Sequence, residues 1–133
     1  MKPEDLKQRA AAEVEAEEER LIELSRAMQA NPELGYQEFK ASRWLTDALE
    51  EYGFVVEREV AGLPTAFRAT LGADDGGPTV AFLAEYDALP EIGHGCGHNL
   101  IGAGALGAAI GLQAVIDQLS GRLIVLGTPA EEF

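Results

Sequence analysis

Cysteine and histidine are scarce in this chain: its 133 residues hold one cysteine and two histidines. A single cysteine makes no internal disulfide, so a reducing, cytoplasmic setting is expected. Basic residues are also few, 10 Lys and Arg against 23 Asp and Glu, and the formal net charge is −13. Nucleic acid is therefore not an expected partner, because phosphate contacts need a basic patch. The amino terminus carries charges where a secretion signal needs an apolar core, and no export signal is expected. Long hydrophobic runs are missing as well. The most apolar stretch, Leu100 to Ile116, is rich in Gly and Ala rather than Leu and Phe and is interrupted by Gln113. It is short for a bilayer, so it predicts a buried helix and no membrane association. There is no internal repeat or low-complexity tract.

The little cysteine and histidine present is gathered in one place. Gly93-His94-Gly95-Cys96-Gly97-His98-Asn99 holds all three residues, separated by glycines. Side chains alternate along an extended segment, so Cys96 and His98 are expected to share one side. Thiolate and imidazole suit zinc and its first-row neighbours. The intervening glycines allow the backbone to close around an ion. His94 is open to several roles: metal ligand, substrate contact, hydrogen-bond donor to a ligand, or simple loop residue.

Length and composition fit one α/β domain with a core of its own. A helical pattern runs from Pro3 to about Ala30, with Leu21, Leu24 and Met28 on one stripe, and Asn31-Pro32 ends it. Its acidic run, Glu13 to Glu19, reads as a solvated face. A second helix is predicted from Glu38 to Tyr52, with Ala41, Trp44, Leu45, Ala48, Leu49 and Tyr52 on its apolar face and Gly53 at its end. Phe54 to Val60 and Ala66 to Leu71 predict a hairpin, and Ala73 to Pro78 a surface loop. Thr79 to Ala84 has the continuous apolar character of a strand buried on both faces. A helix to about Leu119 and a strand from Arg122 to Leu126 complete a βαβ unit, which is right-handed with parallel strands.

Ligands of such sheets gather at the carboxyl ends of the strands. Asp87 follows the first of these strands, and Glu131 with Glu132 the second. Adjacent acids diverge, so one of the pair can bind metal while the other faces an activated water. Asp87 can orient a ligand or bind the ion itself. Together with Cys96 and His98 these acids point to a metal site of the kind used in hydrolysis. Two other classes compete. Gly102 to Gly107 fits the G-x-G-x-x-G pattern of dinucleotide-binding folds, although no strand runs into its first glycine. The acidic first helix is the natural docking face of a non-catalytic interaction module.

Four motifs in order, Asn31-Pro32-Glu33-Leu34, Ala84-Glu85-Tyr86-Asp87-Ala88-Leu89-Pro90, the Gly93 to Asn99 segment and Gly127-Thr128-Pro129-Ala130-Glu131-Glu132, resemble the signatures of the M20 metallopeptidases and amidohydrolases. The resemblance implies part of that family's α/β catalytic domain, with two N-terminal helices, a hairpin and a βαβ unit. It implies hydrolysis of a small N-acyl amino acid or dipeptide at a site of two divalent ions, Zn or Mn. On this chain it makes Cys96, His98 and Glu132 metal ligands, Glu131 the general base and Asp87 the residue that orients the site, with His94 towards substrate. Ala84-Glu85-Tyr86-Asp87, and Asn99 in place of Asp, resemble the branch with the aminobenzoyl-glutamate hydrolases and related dipeptidases. Family members are much longer and supply further ligands and a dimerisation domain, so residues 1–133 are expected to be part of one catalytic domain, inactive alone, with a homodimer in the full-length protein.

Overall fold

The computed structural model describes residues 1–133. The first predicted helix is two: α1 (Pro3–Ala16) and α2 (Glu18–Ala30). They break at Glu17, whose ψ of 11° departs from helical geometry. Pro3 starts α1, where its missing N–H is not needed. α3 (Phe39–Glu51) buries Ala41, Leu45, Ala48 and Leu49, the expected face. Its end is a Schellman motif: Gly53 has φ +88°, Phe54 N donates to Leu49 O at 3.0 Å, and Gly53 N donates to Glu50 O at 3.0 Å. Leu49 and Phe54 are both buried, so the same turn closes an apolar contact.

The strands are β1 (Val55–Arg58), β2 (Phe67–Gly72), β3 (Thr79–Ala84) and β4 (Arg122–Gly127), and α4 (His98–Gln113) lies between the last two. They form one mixed sheet in the order β1-β2-β4-β3. β1 and β2 make the predicted hairpin, β2 pairs antiparallel with β4, and β3 runs parallel to β4. The βαβ unit is thus present. α4 ends earlier than the pattern predicts, at Gln113, and a short turn at Ile116–Gln118 replaces its last part.

The main core joins Met28, Leu45, Leu49, Leu106 and Ile110 of the helices to Phe67, Ala69, Leu123 and Val125 of the sheet. These four strand residues share one side of β2 and β4, so the helices cover one face. This corrects the expectation for β3. It is not buried on both faces but lies at the sheet edge, with Val80 47% and Leu83 56% exposed. α4 is the central helix, and its small residues permit close packing: a Cβ on Gly107 would stand 3.1 Å from Leu21, and one on Gly111 3.1 Å from Val14. No helix is long and apolar enough to cross a membrane.

Candidate metal centre

In a parallel β3-α4-β4 crossover, the carboxyl ends of both strands and the amino end of the helix lie on one side. Here those three points carry Glu85 to Asp87, Glu131 with Glu132, and His98 as the first residue of α4. Gly97 is left-handed at φ +79°, and this breaks the extended alternation expected of the glycine-rich segment. Cys96 is therefore exposed while His98 is buried. Cys96 lies outside the cluster of Glu85, His98 and Glu131, and interaction with Glu132 first, then desolvation and the nearby acids, push its thiol pKa up.

The two ring nitrogens of His98 have different surroundings. Nδ1 lies 2.8 Å from the main-chain O of Asp87 and 2.9 Å from its Oδ1. A carbonyl only accepts, so Nδ1 is the donor. Nε2 faces Glu85 Oε2 at 3.1 Å, Glu132 Oε1 at 3.5 Å and Glu131 Oε2 at 3.6 Å. Three carboxylates around one ring nitrogen make a setting that favours a cation between them. Asp87 also accepts from the main-chain N of Glu132 through Oδ2, at 3.2 Å, so one buried carboxylate orients both the ring and the Glu132 backbone.

The separations fit a metal ion. Two ligands of a tetrahedral zinc, at bond lengths of about 2.0–2.2 Å, stand roughly 3.4 Å apart. The three distances from Nε2 bracket that value, and the ligand atoms of Glu85, His98 and Glu131 all lie within 4.8 Å of one another. Desolvation raises the pKa of Glu131, and repulsion from Glu85 and Glu132 adds to the rise. Glu131 and Glu132 stand nearly equally far from His98, so distance alone does not divide their roles.

Comparison with known proteins gives this geometry its context. No family model matches the chain. Xaa-Arg dipeptidase of Mus musculus is 46% identical over 140 residues, which cover 96% of this chain and 32% of that protein. A p-aminobenzoyl-glutamate hydrolase component from Escherichia coli is 36% identical over 138 residues, covering 90% of this chain and 28% of the relative. A solved structure from Bacillus subtilis, a dinuclear metal-binding peptidase from the M20 family, matches with a TM-score of 0.79 at 30% identity, over 89% of this chain and 36% of that one. The chain belongs to the M20 family. It spans about a third of the length of the curated relatives it matches.

The structure brings together His98, Asp87, Glu131 and Glu132, candidates named from the sequence, and places Glu85 beside them. Glu85 lies two residues before Asp87, and strand alternation at the end of β3 is the signal that could have placed it in the site. His94 lies to one side. It lines a groove of about 790 Å³ with Pro32, Leu34, Leu89 and Ile92, and its Nδ1 is buried without a hydrogen-bond partner. Burial, then the charge of His98, lowers its pKa. The dinucleotide reading fails on position: Gly102 to Gly107 lie inside α4, where a Cβ on Gly102 would meet Glu85 O at 3.0 Å. Gly102 and Gly107 serve close packing, whereas Gly104 faces open space.

Proposed function

We propose that the protein carrying this chain is a metal-dependent amide hydrolase acting on a small N-acyl amino acid or a dipeptide. The observation that carries the reading is His98 Nε2, turned by Asp87 towards Glu85 and Glu132 at the spacing of ligands that share an ion, with Glu131 beside them at 3.6 Å. His98 and Glu132 would hold a divalent ion, with Glu85 beside them and the Cys96 thiol as this chain's remaining donor. Imidazole, thiolate and carboxylates together suit Zn or Mn, two ions in the complete site. When bound, the metal supplies Lewis-acid polarisation of the amide carbonyl and acidifies a water.

Glu131 is the proton carrier. Without an ion its pKa is raised by desolvation and then by the neighbouring acids, and a carboxylate facing the site is the group that can take a proton from water. It takes the proton of the attacking water and delivers it to the leaving amine. Asp87 keeps the His98 proton on Nδ1 and leaves Nε2 free to ligate. His94 contacts substrate from the groove beside the site. The names of the mouse and Escherichia coli relatives both describe amides of an amino acid, which supports this substrate class. A cytoplasmic homodimer of the full-length protein belongs to the same proposal.

The test is hydrolysis of a panel of Xaa-Arg dipeptides, N-acyl amino acids and aminobenzoyl-glutamate by the full-length protein loaded with Zn or Mn. Glu131→Gln is expected to keep its metal and lose about 100-fold or more in kcat. Full turnover in that variant would contradict the role of Glu131.

A further inference from the structure

Glu38 is a fully buried carboxylate outside the metal cluster. It immediately precedes α3, where an acidic side chain ordinarily turns back onto the first amides of its helix. Glu33 does that work instead. Its Oε2 accepts from Lys40 N at 3.0 Å and its Oε1 from Ala41 N at 2.9 Å. Glu38 makes no side-chain bond to its own helix as a cap. Its carboxylate turns inward, with Oε1 accepting from Thr65 Oγ1 at 2.9 Å and Oε2 from the main-chain N of Ala130 at 2.8 Å.

Ala130 has φ +56°, a left-handed conformation that a residue with a Cβ resists. Glu131 and Glu132 come next. A buried carboxylate and a strained backbone, each unfavourable alone, thus meet at the turn that aims both acids into the site. Asp87 holds the same turn one step later through Glu132 N. The Thr65 carbonyl in turn accepts from Tyr86 Oη, so the segment bearing Glu85 and Asp87 is tied to the same network.

We propose that Glu38 is a positioning residue, holding the Ala130 amide so that Glu131 and Glu132 converge on His98. The assignment rests on the metal-site reading above. It concerns a side chain that touches neither ion nor substrate and acts through one main-chain bond. Gln at this position keeps an oxygen for Ala130 N and can donate to Thr65 Oγ1, whereas Ala keeps neither bond.

The experiment compares the chain with Glu38→Gln, Glu38→Ala and the core control Leu49→Ala. Co²⁺ titration is followed by visible absorption, and exchange of the Ala130 amide proton by NMR without metal. Glu38→Gln is expected to bind Co²⁺ within about threefold of the unaltered chain, and Glu38→Ala about 10-fold or more weakly with an altered spectrum, as when a ligand loses its support. Leu49→Ala should lower Tm without either change. The Ala130 amide should be protected in the unaltered chain and Glu38→Gln, and exchange fast in Glu38→Ala.

A folded Glu38→Ala with unchanged Co²⁺ affinity and a protected Ala130 amide would overturn the proposal. So would a loss of affinity no greater than that of Leu49→Ala. Failure of the unaltered chain to bind Co²⁺ would instead overturn the metal reading. Ala130 exchange would then decide the role of Glu38: fast exchange in Glu38→Ala supports it, and unchanged protection overturns it.

Discussion

His98 and Asp87 are joined twice through one ring nitrogen: Nδ1 stands 2.8 Å from the Asp87 main-chain O and 2.9 Å from its Oδ1. The main-chain contact fixes the tautomer, and the side-chain contact adds charge and direction. Asp87→Ala removes the second and also frees Glu132 N. The expected outcome is Zn²⁺ binding weakened by about 10- to 100-fold, measured by competition with a chromophoric chelator. Unchanged affinity would mean that the main-chain carbonyl alone orients the ring.

Gly121 lies in the turn before β4, where the chain passes the start of β3. Its φ is +87°, and a Cβ there would stand 2.0 Å from the Pro78 carbonyl oxygen. Backbone cannot yield as a flexible side chain can. Gly121→Ala should destabilise the fold by about 2 kcal/mol or more, read from a urea midpoint. A stability change of a few tenths of a kcal/mol would show that the turn relaxes freely.

Asp75 ties the same two turns together, its Oδ1 accepting from Gly77 N at 2.9 Å and Gly121 N at 2.8 Å. These bonds, the one from Gly77 first, lower its pKa from the ordinary 3.8. A carboxylate depressed by folding stabilises the fold above its unfolded pKa, and that contribution fades as pH falls through the folded value. The Tm gap between the unaltered chain and Asp75→Ala should therefore be present at neutral pH and shrink in acid below about pH 4. A constant gap down to acid pH would rule out the ionised form as the source of the bonds.

Glu33 caps α3 and also joins the two loops around the site, since its carbonyl accepts from Ala88 N at 2.8 Å. Glu33→Ala removes only the side-chain bonds. Stability should drop by about 1 kcal/mol in chemical denaturation, the usual effect of losing a helix cap. A neutral result would mean that water caps the first turn equally well.

Much of the fold is legible in the sequence because apolar periodicity marks which face of an element is covered. The α3 stripe, the β1-β2 hairpin and the β3-α4-β4 unit all follow from it. Other features leave weaker marks. The break at Glu17 lies in a run of acids with no Gly or Pro to punctuate it. Thr79 to Ala84 reads as a strand of the kind buried on both faces, and within residues 1–133 β3 has one edge open. At the site, Asp87, His98, Glu131 and Glu132 are readable from chemistry at element ends. The placement of Cys96 is not, because left-handed Gly97 turns the chain where alternation would otherwise continue. Glu38 reads as an ordinary helix start until Glu33 is seen in its place.

The central claim is that His98 and its surrounding acids hold a divalent cation. Elemental analysis of the purified chain after equilibration with Zn²⁺ or Mn²⁺ and removal of free ion tests it most directly, beside Cys96→Ser, His98→Ala and the two combined. The account predicts a retained divalent ion in the unaltered chain, less in Cys96→Ser, and none in His98→Ala or the double variant, with folding confirmed by circular dichroism. A folded chain that retains no ion, or a His98→Ala variant that retains as much as the unaltered chain, would contradict it.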